Sequence, residues 1–129
     1  IVLKEGKDVS TFATGLEVYE SLKAAELLAA DGIDAEVINI HTIKPLDEEA
    51  ILKSVAKTRC IVTAEEHNYL GGLGESVSGV LALNNPTPQE FVAVNDVFGE
   101  SGTPEALMEK YGLNAQAIIE KAKKVISRK

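Results

Sequence analysis

The strongest constraint on the fold is the stretch 60–75, where an apolar run passes into polar residues, then glycines, then a helical pattern. Residues 60–64 are β-prone and do not alternate between polar and apolar types, which is typical of a strand covered on both faces. The polar cluster 65–68 precedes three glycines within residues 71–74, and a helical pattern begins near Glu75. The order predicts a buried strand, a tight turn and a helix. The polar and glycine residues would then lie at the carboxyl end of the strand, where open α/β sheets bind ligands or partners.

Strand-like and helix-like segments alternate along the whole chain, with turn residues between them. This alternation predicts one α/β domain over residues 1–129, with a mostly parallel sheet between two layers of helices. The predicted strands are residues 1–3, 9–14, 35–40, 60–64 and 91–94. The predicted helices are residues 16–30, 47–57, 75–83, 104–111 and the segment after Asn114.

Three local signals refine the predicted helices. Asp47 and Asn114 are expected to cap the helices that follow them, because their side chains accept hydrogen bonds from free amides. In the helix 16–30 the polar residues recur every three positions, and we interpret them as one solvent-facing stripe. That stripe contains Glu17, Glu20, Lys23 and Glu26, and the face opposite it contains Val18, Tyr19, Leu22, Ala25 and Leu28.

Charge and composition exclude several classes of partner. The 129 residues include 20 acidic and 13 basic side chains, a net charge of -7, which repels nucleic acid. The apolar runs are shorter than the roughly 20 residues that a bilayer requires, and no signal pattern is present, so we expect a cytoplasmic protein without membrane contact. The chain begins at Ile1, and we interpret it as a fragment of a larger protein. The single cysteine, Cys60, lies in a predicted buried strand and is expected to be a core residue.

The glycine turn has two interpretations, anion binding at the helix start and close packing of strand against helix. A dinucleotide fingerprint would need glycine where Val77 stands, and a P-loop would need lysine where Val80 stands. Glu75 would also place a negative charge at the site. These departures favour close packing, and a regulatory anion or nucleotide site at residues 71–74 remains as the alternative.

Two histidines follow predicted strands and are expected at the same edge of the sheet. His41 and His67 could meet Glu65, Glu66 and Asp96 there, but no metal-binding spacing is present. General acid or base chemistry by His67 and a hydrogen-bonded interface histidine are both compatible with this position. Tyr69 and Leu70 on the turn suggest a docking surface. We assign no catalytic residue and no metal ligand; the candidate interface or ligand residues are His67, Asn68, Tyr69, Gly71, Gly72 and Gly74.

Several segments, in order, resemble the C-terminal domain of transketolases. They are residues 9–15 (VSTFATG), 38–47 (INIHTIKPLD), 63–75 (TAEEHNYLGGLGE), 98–102 (FGESG) and 111–113 (YGL). The second and third are shared with deoxyxylulose phosphate synthase and with the β subunits of 2-oxo acid dehydrogenases. The last two segments are similar to transketolase and favour that class. Deoxyxylulose phosphate synthase and the 2-oxo acid dehydrogenase β subunit are kept as alternatives.

The resemblance implies a three-layer α/β/α fold with a five-stranded mixed sheet whose first strand, residues 1–3, is antiparallel. It implies a parent enzyme of the pentose phosphate pathway, a homodimer that transfers two-carbon ketol units between sugar phosphates with thiamine diphosphate and magnesium. The motifs that hold this cofactor are absent here and would belong to the pyrimidine-binding and diphosphate-binding domains. The resemblance therefore implies a domain that binds no cofactor, supports the dimer and is inactive alone, with residues 67–74 facing a neighbouring domain or subunit.

Overall fold

The computed structural model describes residues 1–41, 45–68, 72–94 and 114–129. Within these residues five strands and four helices follow one another in the order β1, β2, α1, β3, α2, β4, α3, β5 and α4. The strands are β1 Val2–Lys4, β2 Val9–Ala13, β3 Ala35–Asn39, β4 Ile61–Asn68 and β5 Gln89–Val94. The helices are α1 Glu17–Ala30, α2 Glu48–Thr58, α3 Leu73–Asn84 and α4 Ala115–Ser127.

The strands form one mixed sheet in the spatial order β1-β3-β2-β4-β5. β1 pairs antiparallel with β3, and the other pairs are parallel. The predicted α/β fold with a five-stranded, mostly parallel sheet is therefore confirmed. Because α1 leads from β2 to β3 on one side and α3 leads from β4 to β5 on the other, the topology switches direction between β2 and β4.

Helices pack on both faces of the sheet, as the alternation predicts. On one face Ala25 and Leu28 of α1 and Ile118 and Val125 of α4 join the inner residues of the strands. On the other face the core is built from α2 and α3 against Phe12, Ile38 and Ile61. In the described parts of the chain no helix is long and apolar enough to cross a bilayer.

The predicted caps and the core cysteine are confirmed. Asp47 accepts a hydrogen bond from the Ala50 amide at 3.1 Å, and Asn114 accepts one from the Ala117 amide at 3.0 Å. Cys60 is fully buried, and burial raises the pKa of its thiol. A buried, protonated thiol is a core residue rather than a nucleophile.

The predicted polar stripe on α1 is wrong at its N-terminal end. Glu17 is 0% exposed, whereas Tyr19, placed on the buried face, is 70% exposed. The cause is helical geometry: a three-residue step falls about 60° short of a full turn, so residues spaced every three positions drift around the helix. Glu17 and Glu26 therefore lie on opposite faces.

Two boundaries also differ from the prediction. The polar cluster 65–68 continues β4 rather than forming the turn, with an irregular register against β5 between Ala64 and Asn68. α3 begins at Leu73, which places Gly74 inside the helix. The segment 98–102 and the predicted helix 104–111 lie outside the described residues.

Candidate functional site at the carboxyl edge of the sheet

The parallel strands β2, β3 and β4 end at one edge of the sheet, which we call the carboxyl edge. It comprises residues 14–17, 39–41, 65–68 and 72–74. The switch in topology between β2 and β4 also falls here, and such a switch point is the usual ligand site of open α/β sheets. The carboxyl edge is therefore the candidate functional site.

Glu65 at this edge binds the free amides at the start of α3. Its two carboxylate oxygens accept hydrogen bonds from the amides of Leu73 at 2.9 Å and Gly74 at 2.8 Å. The side chain is buried, and the helix has no capping side chain at Gly72. A carboxylate at a helix N-terminus satisfies free amides and is stabilised by the helix dipole. Glu65 of β4 therefore caps α3 in place of a side chain at Gly72.

Glu66 does the same for α1 on the opposite face of the sheet. Successive residues of a strand point to opposite faces, so Glu65 and Glu66 reach different helices. The Glu66 carboxylate accepts a hydrogen bond at 2.7 Å from the amide of Leu16, the N-cap residue of α1, which provides no capping side chain. Neighbouring glutamates of β4 therefore hold the start of one helix on each face.

A third glutamate holds the start of α4. Glu20 of α1 accepts a hydrogen bond from the Ala115 amide at 3.0 Å and forms an ion pair with Lys23 at 2.9 Å. Phosphate sites in proteins commonly use free amides at helix N-termini. Here an anion approaching α1 or α3 would have to displace a carboxylate of the chain itself, which argues against the anion alternative.

The geometry around Gly74 fits the close-packing interpretation. A Cβ atom added to Gly74 would lie 2.8 Å from Oγ1 of Thr63 and would overlap the Phe91 ring. Thr63 is in β4 and Phe91 is in β5, so the absence of a side chain at Gly74 allows α3 to pack closely against both strands.

The structure describes only some of the predicted candidate residues. His67 and Asn68 are the last residues of β4, Gly72 is the buried residue before α3, and Gly74 lies in its first turn. Tyr69 and Gly71 lie outside the described residues, as does Asp96. His41 is exposed at the same edge, where Thr14, Asn39 and Tyr19 help to line a cavity of about 570 Å³ beside it. Among the described residues no cluster of three or more His, Cys, Asp or Glu side chains could hold a metal ion.

Sequence reasoning missed Glu17, which is the most unusual group at the edge. Both carboxylate oxygens are buried without a hydrogen-bond partner in the described structure, and so is the Ser21 hydroxyl one turn later. Burial, reinforced by the negative charges of Glu20 and Glu66, raises the pKa of Glu17 from 4.5 to about 8. The signal that could have revealed it is the three-residue spacing, which does not maintain one helix face.

A second buried carboxylate, Glu36 of β3, lies away from the carboxyl edge, beneath α2. It accepts hydrogen bonds from the Gly6 amide at 3.1 Å, from the Ser54 hydroxyl and from the Lys57 ammonium group. Burial tends to raise the pKa of Glu36, but these hydrogen bonds outweigh it and hold the pKa below its ordinary value. Ser10 extends the same hydrogen-bonded network to Thr58. This network is complete within the domain, and we assign it to stability.

Comparison with sequence families gives one match over most of the chain. The model for the family described as "Transketolase, C-terminal domain" matches residues 1–118. A 6-deoxy-6-sulfo-D-fructose transketolase subunit from Clostridium sp. is 50% identical over 99% of this chain and 40% of its own length. A 1-deoxy-D-xylulose-5-phosphate synthase from Desulforudis audaxviator is 38% identical over 94% of this chain and 19% of its own length.

Comparison with solved structures gives the same fold. A chain described as a split gene transketolase in an inactive beta4 tetramer superposes with a TM-score of 0.94 and is 47% identical. The match covers 98% of this chain and 42% of that one. This chain therefore spans less than half the length of these relatives.

Proposed function

Because this chain belongs to the transketolase C-terminal domain family, we propose that it is the C-terminal domain of a cytoplasmic transketolase and supports its assembly. The parent enzyme would transfer two-carbon ketol units between sugar phosphates. The observation that carries this proposal is the 50% identity to a transketolase subunit over 99% of this chain. Deoxyxylulose phosphate synthases also match, at 38–40% identity, and the higher identity favours a transketolase parent.

In this proposal the cofactor is bound outside this domain. Thiamine diphosphate, together with magnesium, would supply the carbanion chemistry of the parent enzyme. The described residues do not fit either group. They hold no cluster of metal-ligating side chains, and the amides at the starts of α1 and α3 that could bind a diphosphate already contact Glu66 and Glu65. The pyrimidine-binding and diphosphate-binding domains of the parent would carry the reactive centre.

The role of this domain would be association through residues 67–74. Two features support the choice of this surface. His67 and Asn68 end a strand at the carboxyl edge, and the amides of Leu73 and Gly74 fix the start of α3 against Glu65. The described residues on either side of Tyr69 and Gly71 are thus held by the sheet and by α3. We infer that residues 67–74 contact the other domains or the second subunit of a homodimer.

Substitution in the whole parent protein tests this role. His67→Ala and Tyr69→Ala should weaken subunit association, which sedimentation velocity over a concentration series would detect as a shift toward smaller species. Glu26→Ala is the matched control, because Glu26 is exposed on α1 and lies outside the residues of the carboxyl edge. Circular dichroism would verify that each variant stays folded. Unchanged sedimentation of both interface variants would refute the assignment of this surface.

A further inference from the structure

We propose that Glu17 is a proton-binding site whose protonated form keeps the starts of α1 and α4 bound to Glu66 and Glu20, and that loss of the proton releases them. This site goes beyond the assembly role of the domain, and it depends only on side chains within this chain.

The first support is the position of the Glu17 carboxyl group. It is 0% exposed, and neither oxygen has a hydrogen-bond partner among the residues that the structure describes. The Ser21 hydroxyl on the next turn of α1 is buried and also has no hydrogen-bond partner in the described parts of the chain. A buried carboxylate without hydrogen bonds or a cation is very unfavourable, whereas the protonated form carries no charge. The geometry therefore selects the neutral acid.

The second support is the set of charged groups around Glu17. On α1 these are Glu20 and its ion-pair partner Lys23, and on β4 the nearest is Glu66. From α4 the described contact to this cluster is the uncharged Ala115 amide, which is bound to Glu20. Lys23 already pairs with Glu20. A negative charge on Glu17 would thus meet two carboxylates of like sign.

Those two carboxylates are the groups that hold helices in place. Glu66 binds the Leu16 amide at the start of α1, and Glu20 binds the Ala115 amide at the start of α4. Repulsion from an ionised Glu17 would move one or both away from their amides. Proton loss at a single buried site would therefore loosen two helix starts together.

The pKa of Glu17, raised to about 8, sets the pH range of the effect. The unfolded chain loses this proton near pH 4.5, but the folded chain keeps it up to about pH 8. The folded state therefore binds more protons in this window, and its stability falls as pH rises. One linked proton changes the folding equilibrium constant by about tenfold per pH unit.

Denaturant unfolding of the 129-residue chain tests the site. Between about pH 5.5 and about pH 7.5, the folding equilibrium constant of Glu17→Gln should rise about a hundredfold relative to that of the natural sequence. Glu26→Gln is the control, since Glu26 is exposed on the same helix and should show no such change. Parallel pH profiles for Glu17→Gln and the natural sequence would overturn the proposal.

Two NMR measurements keep the proposal testable if Glu17→Gln does not fold. The side-chain carboxyl carbon of Glu17 in the natural sequence should titrate near pH 8, and Glu66→Gln should lower its midpoint. Above that midpoint the Leu16 and Ala115 amides should lose protection from hydrogen exchange. The Leu73 and Gly74 amides should keep theirs, because they are bound to Glu65. A Glu17 midpoint near 4.5, or uniform loss of protection at all four amides, would contradict the proposed site.

Discussion

Two buried glutamates on opposite faces of one sheet differ in almost every property that follows from their partners. Glu36, beneath α2, receives three hydrogen bonds, including one from Lys57, and its pKa is lowered. Glu17, at the start of α1, has no partner among the described residues, and its pKa is raised to about 8. Since both side chains are almost fully buried, burial alone does not set the charge of a glutamate; the donors that surround it do.

Glu65 is the intermediate case in this comparison. It is also buried, and among the described residues it accepts hydrogen bonds from two amides and from no cation. Among the described residues, removal of the side chain would leave three donors without an acceptor at Glu36, two at Glu65 and none at Glu17. We expect the free energy of unfolding to follow the same order.

The largest effect is expected for Glu36→Ala. The substitution would leave the Lys57 ammonium, the Ser54 hydroxyl and the Gly6 amide without their acceptor. Because the Ser54 and Gly6 donors are buried, whereas Lys57 is partly exposed, the loss of their acceptor should lower the free energy of unfolding by about 3 kcal/mol. Urea unfolding at neutral pH measures it, with the exposed Glu48→Ala in α2 as the control. If Glu36→Ala lowered the free energy of unfolding no more than Glu48→Ala does, the proposed order of the three glutamates would be wrong.

A smaller loss is expected for Glu65→Ala. The amides of Leu73 and Gly74 would lose their acceptor, and α3 has no capping side chain to replace it. Hydrogen bonds to a charged cap should contribute about 2 kcal/mol, which the same unfolding experiment would detect. Glu75→Ala is the control, because Glu75 is exposed in the first turn of the same helix. If both variants were equally stable, Glu65 would not be the cap of α3.

The opposite sign is expected for Glu17→Met. Methionine is of similar length and removes two buried oxygens that have no partner in the described structure. At about pH 5.5 this should raise the free energy of unfolding by about 1 kcal/mol, because folding of the natural chain must take up a proton at Glu17 that methionine does not require. Thermal unfolding would measure it. A clear loss of stability would mean that Glu17 does have a partner.

The smallest effect is expected on the acid side of the stability profile. The lowered pKa of Glu36 gives stability that is present above pH 4.5 and is lost as pH falls through the folded pKa. Glu36→Gln should therefore flatten the decline in stability below pH 4.5. An unchanged acid slope, measured by unfolding at several pH values, would show that Glu36 does not contribute to it.

The sequence predicted what depends on local signals. Patterns within a few residues predict the alternation of strands and helices, the caps at Asp47 and Asn114, and the core position of Cys60. The resemblance carried by residues 38–47 and 63–75 predicted the family and its mixed sheet.

What the sequence did not reveal depends on contacts between distant residues. Glu36 meets Lys57 across 21 positions, and Glu66 meets Leu16 across 50, so no local pattern reports them. Two signals were nevertheless present. The N-cap residues of α1 and α3, Leu16 and Gly72, provide no capping side chain, so the free amides of both helices need an acceptor from elsewhere in the chain. Consecutive glutamates at the end of a buried strand can supply it.

The central claim is that this domain supports an enzyme whose reactive centre lies in other domains. The most direct test is a ketol-transfer assay of the purified 129-residue chain with thiamine diphosphate, magnesium, a ketose phosphate and an aldose phosphate. We predict no turnover by the chain alone and turnover when the pyrimidine-binding and diphosphate-binding domains of the parent are added. Turnover by the isolated chain would contradict the account.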